Sequence, residues 1–285
     1  MSSPPSSPPE SPVPAAVERI DYTGVRLAFE GPLATITLAD PDRLNAMGED
    51  MATSLALALA EIAKPRRRCR AVLVTGEGRA FCAGANLTGN RKAIAEGKNR
   101  HSAIAGTETV FHPMLRRFHA LPIPLVVAVN GLAIGIGFGL ALAGDYVIAS
   151  DAAWFQAPFK NLASAPDSGI AWLLPRIVGP IRAKRMLMRA ERIDALTACD
   201  WGMVSEVVPA ADFAARAREV ATEFANDATI ALGEIKKLIA DGARSDLHSA
   251  FEAETTAVLR TSRTRDNVAA IKVFATNTKP VFTGE

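Results

Sequence analysis

Two glycine-rich turns, each following an apolar strand-like run, are the features of this sequence best suited to chemistry. The first lies in residues 71–87 and the second in residues 125–145. Turns of this kind direct backbone N–H groups at a bound oxygen, and two of them can share one developing oxyanion. In a water-poor pocket, each donor stabilises such a transition state by about 3 kcal/mol. The alternative explanation is tight packing of strand against helix, which glycine permits because it lacks a Cβ.

The elements that must position these turns alternate between strands and helices. Residues 25–30 and 33–39 have alternating apolar positions around Gly31-Pro32 and predict a β-hairpin. Residues 48–64 have helical periodicity that ends at Pro65. The strand-helix alternation then repeats, which predicts an α/β fold with parallel strand pairing. Residues 88–107 are polar and weakly periodic, so we expect a loop of the kind that covers a site.

The chain divides into three predicted regions. Residues 1–16 are rich in serine and proline and predict a disordered tail. Residues 17–208 predict the α/β core, and residues 209–285 a helical region with three amphipathic helices at 211–226, 228–242 and 246–263. The apolar faces of those helices suit an oligomer interface, and packing onto their own core is an equally ordinary use.

Composition narrows the classes of function. The 285 residues contain 32 basic and 30 acidic side chains, without a basic stripe, so a nucleic-acid ligand is not expected. The three cysteines are far apart and form no Cys-x-x-Cys pair, which indicates neither a disulfide framework nor a metal site. The longest apolar run is broken by Asn130 and by glycines, so no membrane span is predicted. These observations favour a cytoplasmic protein.

Three segments occur in the order and at the spacing of a known family. They are TGEGRAFCAGANL (75–87), PLVVAVNGLAIGIG (124–137) and PDSGIAWLLPRIVG (166–179). Together they resemble the enoyl-CoA hydratase/isomerase (crotonase) family over about residues 20 to 285. The resemblance implies a spiral core of β-β-α repeats, a C-terminal helical trimerisation region and acyl-CoA thioesters as substrates. It also implies a homotrimer or a dimer of trimers, and no cofactor, because coenzyme A is part of the substrate.

The resemblance assigns roles to individual residues. The two oxyanion-hole N–H groups are expected on Ala85 and Ile136. Residues expected to bind the substrate or its coenzyme A are the following: Arg43, Ala83, Gly84, Asn86, Leu87, Gly135, Phe159 and Lys279. Lys279 is expected to reach the nucleotide of a neighbouring subunit. For Arg43 and Lys279, a simple solvated side chain is the alternative.

The departures from the family pattern decide the expected reaction. Hydratases of this family use two glutamates, one to activate water and one to supply a proton. This chain has Gly139 and Phe159 at the matching positions, which argues against hydration by the usual mechanism. Asp167 is the carboxylate that remains. The segment around it most closely resembles ring-epoxide isomerases of phenylacetate breakdown, and one carboxylate suffices to remove and return a proton.

Three functional hypotheses therefore stand. The first is an acyl-CoA isomerase with Asp167 as proton shuttle and an enolate held by the two backbone donors. The second is an acyl-CoA-binding relative without catalysis, in which Asp167 serves as a helix N-cap in Pro-Asp-Ser-Gly. The third is a hydratase with an unconventional acid. For the environment of Asp167, the N-cap position and an apolar pocket beside Phe159 and Trp172 are the two alternatives.

Overall fold

A computed structural model describes residues 17–88, 106–276 and 278–285. The predicted tail at 1–16 and nearly all of the predicted loop at 88–107 lie outside the described residues. Eleven strands occur in the described ranges. Their bounds are β1 Glu18–Tyr22, β2 Val25–Glu30, β3 Leu33–Leu38, β4 Ala71–Gly76, β5 Ala80–Cys82, β6 Leu125–Val129, β7 Leu132–Ile134, β8 Tyr146–Ser150, β9 Trp154–Gln156, β10 Ile193–Asp194 and β11 Glu206–Val208.

Seven of these strands form one sheet, in the order β1-β2-β3-β4-β6-β8-β11. The predicted hairpin is confirmed, since β2 and β3 pair antiparallel with Val25 opposite Leu38. From β3 onward the neighbouring strands are parallel. The central strand β6, Leu125–Val129, is buried along its whole length, as expected for a parallel strand covered on both faces.

A second sheet of four strands has the order β10-β9-β7-β5. Strands β5, β7 and β9 are parallel, and each directly follows a strand of the large sheet in the chain. Each repeat therefore sends one strand into each sheet before its helix, which is the β-β-α spiral predicted from the sequence. The arrangement matters for function because β5 and β7 lead into the two glycine-rich turns.

Nine α-helices lie in the described residues. Their bounds are α1 Glu49–Ile62, α2 His112–His119, α3 Ile136–Ala141, α4 Ile170–Arg189, α5 Ala195–Asp200, α6 Phe213–Ala225, α7 Thr229–Gly242, α8 Leu247–Thr261 and α9 Arg265–Phe274. Helix α4 is broken at Gly179, which has φ 79° between Pro175 and Pro180. In the described ranges, no helix is long and apolar enough to cross a membrane.

The C-terminal helices differ in what they cover. Three of them match the predicted amphipathic helices to within a few residues. The first, α6, packs on the large sheet and buries Phe213, Ala217 and Val220 against it. Helix α7 and helix α8 pack mainly on each other and leave large apolar side chains exposed. Helix α9 was not predicted, although Thr264 gives a local signal, since its hydroxyl accepts a hydrogen bond from the Asn267 N–H at 3.0 Å.

Candidate active site

The two glycine-rich turns lie against each other. Strands β5 and β7 pair in parallel with Cys82 beside Ala133, so both turns leave the same edge of the small sheet. An ideal Cβ on Gly135 would stand 3.9 Å from the Gly84 Cα. The fold therefore brings together the two turns that the sequence separates by about fifty residues.

Glycine is required at both turns by the backbone itself. Gly84 has φ 94° and Gly135 has φ 53°, in the left-handed region where L side chains are strained. A Cβ on Gly84 would also stand only 3.1 Å from the Ile134 carbonyl oxygen. Close packing and backbone conformation therefore account for glycine at these two positions. This packing is compatible with oxyanion binding, because the residues that follow each glycine are the predicted donors.

The N–H of Ala85 takes no part in the pairing of this turn with Met47. The Met47 N–H donates to the Gly84 oxygen at 2.8 Å, and the Asn86 N–H donates to the Met47 oxygen at 2.9 Å. These two bonds form a parallel bridge between Met47 and Ala85, so the N–H of Ala85 faces away from Met47. Within the described residues the Ala85 N–H has no hydrogen-bond acceptor, and the residue is exposed.

Ile136 presents its N–H for a different reason. It is the first residue of α3, and Gly135 is the N-cap. The first N–H groups of a helix have no intrahelical partner, and that of Ile136 has no acceptor elsewhere in the part of the chain described. The Ile136 side chain is only 5% exposed. Its φ is negative, as expected for a non-glycine donor at this position.

Two asparagines fix the approach to the first turn, a role that sequence reasoning missed. The fully buried Asn45 donates from Nδ2 to the oxygens of Ala80 at 2.8 Å and Glu77 at 3.0 Å. Asn130 donates from Nδ2 to the same Ala80 oxygen at 3.1 Å. Strand β5 begins at Ala80, so these amides hold the start of the strand that carries Ala83 and Gly84. The signals in the sequence were Asn130, directly after the apolar run at 125–129, and Asn45, in the turn before the helix at 49–62.

Asp167 occupies the loop before α4. Its carboxylate Oδ1 accepts a hydrogen bond from the Ser168 hydroxyl at 2.7 Å. The N-cap of α4 is Gly169, without a side-chain cap, so the expectation that Asp167 caps this helix is wrong. Asp167 is exposed in the isolated chain, and Trp172 stacks on the Arg176 guanidinium at 4.0 Å. The second alternative, an apolar pocket around Asp167, is therefore not observed in the described residues of this single chain.

Gly139 has no space for a side chain. An ideal Cβ there would stand 2.6 Å from the Ser168 Cβ and 2.8 Å from the Ser168 oxygen. The loop that carries Asp167 thus occupies the volume into which a longer residue at 139 would project. Phe159, at the other glutamate position, is half-buried and packs against the core. Neither position is suited to the acid-base pair of a hydratase.

We expect Gly139→Ala to destabilise the protein by about 1–3 kcal/mol, because the added methyl group overpacks the contact with Ser168. The matched control is Gly242→Ala at the end of α7, where a Cβ would meet nothing within 4 Å. Denaturant unfolding of both variants measures the difference. Equal stability of the two variants would contradict the steric explanation for Gly139.

The predicted coenzyme A contacts are spread over several loops. Arg43 is largely exposed and pairs with Asp40 at 3.3 Å. The Ala83 N–H donates to the Leu44 oxygen at 3.0 Å, and Asn86 Oδ1 accepts from the Thr88 N–H at 3.1 Å. The half-buried Leu87 follows directly on the first turn. Lys279 is exposed in the segment 278–285, and its ammonium has no ion-pair partner among the described residues. These assignments remain predictions.

Cys82 is not suited to act as a nucleophile. It is fully buried beside the first turn, and burial raises the pKa of its thiol to about 11. The thiol is therefore protonated at neutral pH. The pKa of the exposed His119 is lowered by local desolvation, and the nearby Lys236 ammonium adds to the effect. Within the described ranges, no three His, Cys, Asp or Glu side chains are placed to hold a metal ion.

A cavity of about 1150 Å³ opens between the core and helices α7 and α8. It borders the first turn of α4 at Gly169 and Trp172, close in sequence to Asp167. Lys236 and Arg260 also line it. Sequence reasoning missed this cavity because its walls come from segments far apart in the chain.

Residues 28–285 match the family model described as enoyl-CoA hydratase/isomerase. The chain belongs to the enoyl-CoA hydratase/isomerase family.

Individual relatives refine this assignment. The chain is 34% identical over 256 residues to the 1,2-epoxyphenylacetyl-CoA isomerase of Escherichia coli strain K12, covering 90% of this chain and 97% of that protein. This relative confirms the similarity to ring-epoxide isomerases. The chain is also 34% identical to a "Probable enoyl-CoA hydratase" of Rhodobacter capsulatus, covering 93% of this chain and 100% of that protein.

A solved structure confirms the fold. The crystal structure of an enoyl-CoA hydratase from Bacillus anthracis has a TM-score of 0.82 with this chain, at 29% identity. The alignment covers 94% of this chain and 99% of that one. The crotonase-like spiral predicted from the sequence is therefore correct.

Proposed function

We propose that this protein is an acyl-CoA isomerase in which Asp167 moves a proton while Ala85 and Ile136 hold the thioester oxygen. Three observations support this proposal. The two turns that carry the donors are in contact. Both donor N–H groups lack an acceptor in the described parts of the chain. Asp167 lies beside Ser168, which packs against the helix that begins at Ile136.

In the proposed reaction, the Asp167 carboxylate removes a proton from the carbon next to the thioester carbonyl. The C–H electron pair forms a new C–C double bond, and the carbonyl π electrons move to oxygen to give an enolate. The N–H groups of Ala85 and Ile136 stabilise that oxyanion. For a thioester with a β,γ double bond, the thioester carbonyl then re-forms, the α and β carbons become doubly bonded, and the electron pair of the former β,γ double bond takes the proton from Asp167 at the γ carbon.

One observation favours isomerisation over hydration. The backbone and Cβ of Ser168 fill the space beside Gly139, so this position cannot present a carboxylate to water without rearrangement of the loop. Phe159 cannot supply a proton. The residues predicted to line the site therefore retain one carboxylate, and one carboxylate is enough for a proton shuttle but not for the two-glutamate mechanism.

Four thioesters in deuterated buffer test the proposal: crotonyl-CoA, trans-3-hexenoyl-CoA, phenylacetyl-CoA and 1,2-epoxyphenylacetyl-CoA. Mass spectrometry reports rearrangement, water addition and deuterium uptake in one assay. We expect rearrangement or exchange that depends on Asp167. Water addition to crotonyl-CoA as the main reaction would favour the hydratase hypothesis instead. Binding of the thioesters without exchange or rearrangement would favour a relative without catalysis.

We also propose that the chain assembles as a trimer through its C-terminal helices. Large apolar side chains are exposed on three successive helices, among them Ile239, Phe251 and Phe274. Such a surface is typical of an interface between subunits. Light scattering on the purified protein should give three or six times the 30.2 kDa mass of the chain. The mass of a single chain would overturn this proposal.

The compartment is proposed on chemical grounds. Cys69, Cys82 and Cys199 are all free in the structure. Free thiols are typical of a reducing environment. We therefore propose a cytoplasmic enzyme.

A further inference from the structure

Ser168 has a conformation that its residue type does not favour. Its φ is 59°, in the left-handed region, and it is 3% exposed. Glycine populates this region without strain, and Gly169 with φ 76° does so at the next position. Backbone strain at Ser168 raises the hypothesis that its side chain has a function, and the contacts of the hydroxyl bear on that hypothesis.

This function is visible in the contacts of that hydroxyl. The Ser168 Oγ donates to Asp167 Oδ1 at 2.7 Å. This is the one hydrogen bond that the Asp167 carboxylate makes within the described residues. Oδ2 is therefore left for a substrate proton, while Oδ1 is held in place.

The position of Ser168 is fixed by the helix that carries a predicted oxyanion donor. Gly139 lies one turn after Ile136 in α3, and the Cβ and carbonyl oxygen of Ser168 pack directly over its Cα. The contact is so close that even a methyl group at 139 would not fit. Ser168 thus connects the carboxylate of Asp167 to the rigid element that presents the Ile136 N–H.

We propose that Ser168 is a positioning residue: its hydroxyl holds the Asp167 carboxylate in register with the oxyanion donors. The inference rests on the proposed function, because it assumes that Asp167 moves the proton. Ser168 itself does not exchange its proton in the reaction. It fixes the distance and angle between base and substrate carbon, and an error of about 1 Å in such geometry costs on the order of 100-fold in rate.

Two substitutions separate the effect of the Ser168 hydroxyl from the effect of its backbone conformation. Ser168→Ala keeps the Cβ that packs on Gly139, and Ser168→Gly suits the positive φ and removes strain. We expect both variants to fold. The thermal stability of Ser168→Gly should equal or exceed that of the wild type, and that of Ser168→Ala should be close to it. We expect both to lose about 10- to 100-fold in kcat, with KM nearly unchanged, on whichever of the four thioesters named above the wild type converts fastest.

Combining the Ser168 substitution with Asp167→Asn shows whether Ser168 affects kcat through Asp167. If Ser168 acts through Asp167, then Ser168→Ala should cause no further loss of kcat in Asp167→Asn. Wild-type kcat in both Ser168 variants, or an equal fold loss in the Asp167→Asn background, would overturn this inference while leaving the isomerase proposal intact. Full turnover by Asp167→Asn itself would instead overturn the proposed function, and this inference with it.

Discussion

Asp167→Asn is expected to lower kcat by about 10²- to 10⁴-fold, the range that a positioned general base contributes. The amide keeps nearly the same shape and can still accept the hydrogen bond from Ser168, so the loop should retain its conformation. It cannot accept a substrate proton. Because Asp167 is exposed and does not hold coenzyme A in the proposed site, KM should change little. Steady-state kinetics and deuterium uptake into the thioester measure both effects.

The matched control is Asp212→Asn. Asp212 is an exposed aspartate next to a helix start, like Asp167, and its side chain makes no cap hydrogen bond. The substitution removes the same charge at a place remote in sequence from the site and should leave kcat unchanged. Normal turnover and normal deuterium exchange in Asp167→Asn would eliminate the proton-shuttle mechanism.

The fold was predictable because local signals agreed with one another. Three local patterns each predicted one type of element, and these elements fit together in one fold. They are the hairpin at Gly31-Pro32, the helix that ends before Pro65 and the fully apolar strand at 125–129. The glycines before Ala85 and Ile136 were also evident in the sequence. The structure explains them, because the backbone has a positive φ at both positions. Helix α9 was missed because its N-cap, Thr264, comes directly after α8, the last of the three amphipathic helices that the sequence predicted.

The environment of Asp167 was not predictable from sequence. Pro-Asp-Ser-Gly is a good local pattern for an N-cap, and that expectation failed because Gly169 caps the helix instead. The reason is a long-range contact. Ser168 packs on Gly139, nearly thirty residues earlier in the chain, and this contact fixes the loop in consecutive left-handed conformations. Tertiary packing of this kind overrides local turn preferences.

The contact between Gly139 and Ser168 also connects the departure at 139 with the position of Asp167. A glycine at 139 lets the loop approach α3, and the approach places Ser168, which hydrogen-bonds to Asp167, against the helix of Ile136. In the proposed mechanism, one contact therefore links the glycine at 139 to the carboxylate at 167. Restoring glutamate at 139 alone would displace the loop, so we do not expect that substitution to create a hydratase.

Ile136→Pro is the second substitution with a large expected effect. Proline is well suited to the first position of a helix, because it lacks an N–H that has no intrahelical partner there. Gly135 has ψ −118°, outside the α region that a following proline disfavours. The substitution therefore removes one predicted oxyanion donor with little change to the backbone. We expect kcat to fall by about 10²- to 10³-fold, which is about 3 to 4 kcal/mol of transition-state stabilisation.

Ile136→Val is the control, because it shortens the buried side chain by a similar amount but keeps the N–H. It should cost about 0.5–1.5 kcal/mol of stability and leave kcat close to the wild type. The comparison of the two variants isolates the donor from the side chain, since both leave a similar space in the core. If the folded proline variant rearranged its thioester as fast as the valine variant, the oxyanion would have to be held elsewhere, and the convergence of the two turns would be a matter of packing alone.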